Sequence, residues 1–436
     1  MIQHGSNYYE ILARSKTVSF APYVVQFAKR ILEPTEYSLN LLAEDLLEEN
    51  GPVGLRPETL KVMHDSLAPG DSLQAITKTM LRSVAGHLAA INDNEHTVMV
   101  RMFDWTRNFV TKASTDAIYG SRNNPFQSDY VCNAFWSIDR EFVLLGLNTL
   151  PNILSPKGSH GRRVFFEAMS SYYALGHHET ASPLIQARHQ VERDYGLPQT
   201  DIEHFNLSVS YGLLVNTVPG TAWVLYYVYS DPSLLADIRQ NIETLAIHNS
   251  VGSDTEDVNV NLPDVIKGYP LLDSLVQEVL RVHSTNASGR VVLRDTIIGD
   301  KYLLRKDALL LIPSKGMHGN TEVWGPTAAT FDPTRFLRQK MGRDAHRVPA
   351  SAYRSWGSGA SVCPGRFFAT NEILSTLIIM VLRYDVSPVR GAWERPKTKS
   401  HITTSILTPV TDINVRISPR KEASGIKWRF TWNTGK

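Results

Sequence analysis

Cysteine is almost missing from this chain: Cys132 and Cys363 are the only two in 436 residues. Two thiols cannot build the cross-linked framework of a small secreted fold, so apolar burial must make the core and a reducing compartment is expected. Charge of one sign is equally scarce, with 45 Lys and Arg against 43 Asp and Glu, a formal net charge of +2. So even a balance creates no field that would gather a polyphosphate, and nucleic acid is excluded as an expected partner. Residues 1–7 carry neither the basic flank nor the apolar run of a signal peptide. No repeat, low-complexity tract or Pro/Ser-rich linker divides the chain, so one domain over residues 1–436 is expected. Phosphate-cradling Gly loops and G-x-S-x-G elbows are lacking, which argues against kinases and serine hydrolases. The single long uncharged run, residues 205–230, could span about 30 Å of hydrocarbon. Asn206, Ser208, Ser210, Asn216 and Pro219 interrupt it, so it reads as a buried central helix. His177, His178, Glu179 and His189 lack the spacing of a zinc helix and read as a surface cluster.

Hydrophobic residues make up 42% of the chain and charged ones 20%, ample material for a core. Leu73, Ile76, Met80, Val84 and Leu88 recur at three- and four-residue steps and predict one apolar helix stripe. Similar patterns predict helices over 100–118, 162–175, 231–246, 269–282 and 365–382. Acidic residues 43–50 read as a solvated helix face. Strand patterns are short and late, over 290–293, 302–304, 308–312, 413–417 and 426–432. The expected class is mainly α with small β-sheets concentrated after residue 285.

The run Trp356-Gly357-Ser358-Gly359-Ala360-Ser361-Val362-Cys363-Pro364-Gly365-Arg366 joins glycine-rich backbone to a lone cysteine and then to a helical pattern. Backbone N–H groups that approach the sulfur, and the start of the following helix, favour the thiolate. A thiolate held this way suits the axial position of a haem iron. Upstream, Glu278 and Arg281 lie three residues apart on one helix face, and Arg335 follows in Phe331-Asp332-Pro333-Thr334-Arg335-Phe336.

In this order the motifs resemble the cytochromes P-450, from roughly residue 8 onward. The resemblance implies that fold, with haem as cofactor and Cys363 as its metal ligand, seated in a loop that includes Trp356, Gly357, Ser361 and Gly365. It implies a buried triad of Glu278, Arg281 and Arg335, and a haem propionate paired with Arg290 or, alternatively, Arg294. Thr285, Ser288 and the turn at 403–405, with Thr404 at its centre, would line a substrate pocket under Asn216 and Gly220.

Four departures from the family pattern stand out. Trp356 replaces the usual Phe, and Ser361 the usual Arg or His. The W-x-x-x-R of an early helix is missing, leaving His64, Lys78 or Arg82 as candidates for its role. The acid–alcohol pair of the central helix is also missing. In its place stand Asn216 and Thr217, with Pro219 two residues on, which resembles the branch holding sterol and bile-acid hydroxylases, prostacyclin synthase and fungal natural-product enzymes. Asn216 aligns with the alcohol position and, with Thr217, is the catalytic candidate that would order water or substrate. Pro219 is expected to open the helix near Val215.

The resemblance implies a monooxygenase acting on a small apolar molecule such as a terpenoid, steroid, polyketide or alkaloid. Electrons would come from an NADPH-dependent flavoprotein reductase, with Arg338, Lys340, Arg343, Arg347 and Arg354 offering charge for its docking. Two alternatives stay open: a haem-dependent isomerase or dehydratase needing no outside electrons, and a truncated, non-catalytic relative. By the same resemblance the protein is expected at the cytosolic face of the endoplasmic reticulum membrane, as a monomer. The chain enters near residues 8–20, which resemble the helix that follows the family's first strands, and shows no anchor; a soluble or peripheral protein is expected.

Overall fold

The computed structural model describes residues 16–91, 97–248, 257–285, 287–298, 300–340, 348–357, 359–399, 404–423 and 425–435. The principal helices are α1 (Leu55–Leu67), α2 (Asp71–Ala89), α3 (Met102–Tyr119), α4 (Asp129–Arg140), α5 (Pro156–Ala174), α6 (Pro183–Asp194), α7 (Gln199–Leu214), α8 (Thr217–Ser230), α9 (Pro232–His248), α10 (Leu271–His283) and α11 (Arg366–Arg383). The stripe Leu73, Ile76, Met80, Val84 and Leu88 is buried along α2, as its periodicity requires. Helix α8 sits at the centre, against α3, α10 and α11, and α2 closes over α3 and α11.

The uncharged run is two helices, with Val215 and Asn216 between α7 and α8. Pro219 has no N–H to give the carbonyl of Val215, and regular bonding resumes where Gly220 N donates to Asn216 O at 3.0 Å. Leu207, Leu214, Val218 and Val224 are fully buried, so the run is a core element. Among the described residues no helix is long and apolar enough to cross a membrane. A carboxyl group sits in this core: Glu372 of α11 is buried and accepts from Ser114 Oγ of α3 at 2.8 and 2.7 Å.

The sheets are small. Strands β1 (Val18–Ser19), β4 (Ala287–Val292) and β7 (Leu309–Pro313) form one antiparallel sheet, with β4 central. Strands β2 (Val98–Arg101), β8 (Tyr384–Pro388) and β11 (Asn414–Pro419) form another around β11. Three pairs complete the set: β3 (Asp257–Asn261) with β12 (Lys427–Thr431), parallel; β5 (Thr296–Ile298) with β6 (Tyr302–Leu304); and β9 (Thr398–Lys399) with β10 (Thr408–Pro409).

Three expectations are corrected. Residues 8–20 were expected as helix, yet Val18 and Ser19 pair with Val292 and Val291, and a helix begins only at Ala21; residues 8–15 lie outside the described residues. The acidic helix face ends at Ala43, because the Asp45 carboxylate captures the amides of Glu49 at 2.8 Å and Asn50 at 3.0 Å in a turn. Sheet structure is concentrated after residue 285 as expected, with only β1, β2 and β3 before it among the described residues. The pairing of β2 with β11 also explains why the helix expected from residue 100 starts at Met102.

Candidate active site

The cysteine loop is closed by one position that only glycine can fill. Gly357 has φ 76°, and a Cβ there would stand 2.7 Å from the Ser361 carbonyl oxygen. Behind it, Cys363 N donates to Trp356 O at 2.7 Å. Gly365 caps α11, and its open Cα side faces the sulfur. Burial pushes the Cys363 thiol up, while the Gly365 amide, the Arg366 charge and the Arg366 amide pull it down. The other thiol, Cys132, is spent inside the core, where it donates to Phe126 O at 2.9 Å.

Cys363 borders two adjoining cavities of about 410 Å³ and about 600 Å³, which share Phe20, Met63, Arg290, Ser361 and Pro364 with it. Arg290 is buried at this junction and donates to Ser288 Oγ at 2.9 Å, Gly289 O at 2.8 Å and Ser361 Oγ. Burial, reinforced by Arg354, lowers its pKa to about 10. Among the described residues no carboxylate pairs with it. Arg294 is exposed and bound to Glu49, so of the two arginines only Arg290 reaches the cavities. Of His64, Lys78 and Arg82, only His64 lines a cavity, and burial followed by Arg366 lowers its pKa.

The smaller cavity is walled by Asn216, Thr217, Ser288, Trp356, Gly365 and Thr404, with no acid among its lining residues. Gly220 and Thr285, expected beside them, line neither cavity. A Cβ on Gly220 would meet Ile373 of α11 at 3.4 Å and Leu280 of α10 at 3.6 Å, so this glycine serves helix packing. Thr285 N donates to Ser405 O at 2.9 Å and braces the wall from behind. Asn216 is occupied too, since its Oδ1 accepts from Ser405 N at 2.7 Å and Ile406 N at 3.2 Å. That oxygen is therefore unavailable to hold a distal water.

On the far side of the loop, Glu278, Arg281 and Arg335 meet in a site with at most 3% exposure each. Arg281 donates from Nε to Glu278 Oε2 at 2.7 Å and from a terminal nitrogen to Oε1 at 2.8 Å; Arg335 Nε reaches the same two oxygens at 3.0 and 3.2 Å. The remaining guanidinium hydrogens go to carbonyls of His318, Trp324, Thr327, Ala328 and Thr330 and to the Thr327 hydroxyl. The Asp332 amide donates to Glu278 at 3.1 Å, so one carboxylate joins a helix to two loop segments.

Of the residues expected to offer docking charge, one is not at the surface. Arg354 is 1% exposed and belongs to the interior. Arg338 is at the surface but paired with Asp332. Arg343, Arg347, the Lys340 side chain, Ser358 and Thr403 lie outside the described residues. His178 stacks on Tyr173 and meets His189 edge-on, and among the described residues no group of metal-ligating side chains is assembled. Sequence reasoning missed the Ser114–Glu372 pair and the ties on residues 405–407. For the first a signal existed, because Glu372 is the lone charge between Arg366 and Arg383 in an apolar helix.

A match to the family described as Cytochrome P450 spans residues 55–415. The cytochrome P450 monooxygenase nodJ of Hypoxylon pulicicidum is 34% identical over 411 residues, covering 92% of this chain and 79% of that one. The 5-beta-cholestane-3-alpha,7-alpha-diol 12-alpha-hydroxylase of Sus scrofa is 25% identical over 409 residues, covering 89% and 79%. The haem domain of cytochrome P450DA superposes with a TM-score of 0.62 at 18% identity, over 86% of this chain and 78% of that one, a likeness of fold. Family match and relatives run through both the cysteine loop and the buried triad, and the chain accordingly belongs to the cytochrome P450 family of haem-thiolate monooxygenases.

Proposed function

We propose that this enzyme oxidises an apolar small molecule bearing at least one oxygen function, such as a terpenoid, steroid or polyketide, with electrons from an NADPH-dependent flavoprotein reductase. The observation that carries the reading is the junction of the two cavities: a thiol beside apolar walls and a buried guanidinium that has no acidic partner among the described residues. That donor set fits a haem, with one soft sulfur for the iron and one cation for a propionate. Haem, when bound, supplies activation of O2 and transfer of one oxygen atom.

The chain's own residues do the rest. Cys363 would hold the haem iron through its sulfur, which is backed by the amides of Gly365 and Arg366, with Trp356 lining the same cavity. Arg290 and Ser361 hold a propionate edge. Apolar walls exclude water and present the substrate, while Thr217, Ser288 and Thr404 offer it hydroxyls. Cys363→Ala should abolish the long-wavelength Soret band of the reduced, carbon monoxide-bound protein; retention of that band refutes the ligand assignment. One observation favours a second reading, an isomerase: no acid lines the smaller cavity to deliver protons. Product formed without NADPH and O2 would decide for it.

Attachment to a membrane surface is supported by the segment between α4 and α5. Val143, Leu144, Leu147, Leu150, Ile153 and Leu154 are all exposed, Ile153 at 70%, and Arg30, Lys157 and Arg163 flank them at the surface. So many exposed aliphatic side chains in a short stretch, ringed by cations, suit the interface of an anionic bilayer. Leu150→Glu together with Ile153→Glu should lower co-sedimentation with phosphatidylcholine/phosphatidylserine vesicles by about a hundredfold, since burial of two large side chains is lost. Unchanged partition would overturn this.

A further inference from the structure

Residues 404–406 wall the smaller cavity between the break in the central helix and the end of α10, and the main chain of 405–407 is held from both sides. Ser405 N and Ile406 N donate to Asn216 Oδ1 at 2.7 and 3.2 Å. Leu407 N donates to His283 O at 2.9 Å, and Thr285 N to Ser405 O at 2.9 Å. The Leu407 carbonyl accepts from Trp223 Nε1 at 2.7 Å, and Trp223 is itself stacked on His283 at 4.0 Å. Two amide donors on one oxygen fix which way the Asn216 carboxamide points. The helix break puts Asn216 there, because an uninterrupted helix would carry residue 216 within its regular turns.

Among the described residues that line this cavity, one hydroxyl of the wall is unsatisfied. Thr404 is 3% exposed and lines the cavity, and its hydroxyl has no hydrogen-bond partner among the described residues. A buried hydroxyl without a partner is costly, and one on a cavity wall is satisfied when a ligand supplies the partner.

We propose that Asn216 is a positioning residue: through the amides of Ser405 and Ile406 it fixes Thr404 so that the Thr404 hydroxyl takes an oxygen function of the substrate and thereby selects the carbon presented for oxidation. The proposal rests on the haem monooxygenase reading and adds the specificity determinant. A site that hydrogen-bonds a substrate hydroxyl rejects the analogue lacking it far more strongly than an apolar wall rejects a size change.

The test uses ferric holoprotein and two probes that differ by one hydroxyl, cyclododecanol and cyclododecane, titrated by the shift in the Soret band. The parent should prefer cyclododecanol by about tenfold or more. Thr404→Val, close in shape and without the hydroxyl, should cut the preference to about threefold or less. Asn216→Ala should do the same and broaden the product distribution, while Asn216→Asp, which keeps an acceptor oxygen, should restore the parent preference. The double variant should lose no more than either single one, because both remove one contact. The proposal is overturned if Thr404→Val keeps the preference, or if Asn216→Ala keeps it while diverting NADPH electrons to hydrogen peroxide, the behaviour of a residue that manages distal water. Binding is read without NADPH or O2, so failure of the monooxygenase reading would show separately, as haem-loaded protein with normal preference and no electron-dependent product.

Discussion

Glu278→Ala should leave the protein unfolded or free of haem. Among the described residues, the carboxylate it removes is the only counter-charge paired with Arg281 and Arg335, all three being within 3% of full burial. Carbonyl oxygens would still accept from both guanidinium groups, yet none neutralises them. Stranding buried charge costs about 3–5 kcal/mol, a large share of the roughly 5–15 kcal/mol that holds a domain folded. The Asp332 amide would lose its acceptor as well, releasing the segment that carries Arg335. Haem per chain and a urea melt measure the outcome. Soluble variant with a full haem complement and a normal midpoint would show that the triad is dispensable.

Glu372→Gln should have the opposite effect and stabilise the protein above neutral pH. Burial raises the Glu372 carboxyl to about 8 from its ordinary 4.5, opposed by the bond from Ser114. Between those values the folded chain holds a proton that the unfolded chain has released. Stability from this group is therefore full below pH 4.5 and is lost as pH rises toward 8, by roughly 3–5 kcal/mol in all. Glutamine keeps the shape and carries no charge to bury, so urea midpoints of parent and variant should agree near pH 5 and separate by pH 8. His283 and His318 act at the other end. Burial lowers them from 6.5 to about 3 and about 4, so their contribution is present above pH 6.5 and lost as pH falls below it. Parallel curves for parent and variant across pH 5–8 would refute the assignment to Glu372.

The sequence announced its chemistry where residue types are rare and local. Glycines and a proline around a lone cysteine describe the loop, and the three-residue step from Glu278 to Arg281 describes a helix face. Long helices such as α2 and α11 were legible from periodicity. The early strands β1, β2 and β3 were not, because they take their identity from partners far away in the chain, whereas the later β6, β7 and β12 followed their local patterns. Arg290 and Arg294 were indistinguishable until the structure put one inside β4 and the other past its end. Arg354 looked like surface charge because basic residues precede it, and burial is a property of the whole fold. Ser114 with Glu372, and Asn216 with Ser405, are pairs separated by 258 and 189 residues, and no local pattern reports them.

The cavity wall at residues 404–406 is held by the peptide groups of 405–407, and peptide groups are the same whatever side chain they carry. Asn216, His283, Thr285 and Trp223 would keep their bonds if Ser405 or Ile406 were exchanged for residues of other size or polarity. Both of those residues line the smaller cavity. Single substitutions there can reshape the space offered to a substrate while the course of the wall stays fixed, whereas a change at Glu278 ends the fold. Lineages descended from this enzyme can thus wander among substrates one mutation at a time, without passing through a sequence that fails to fold.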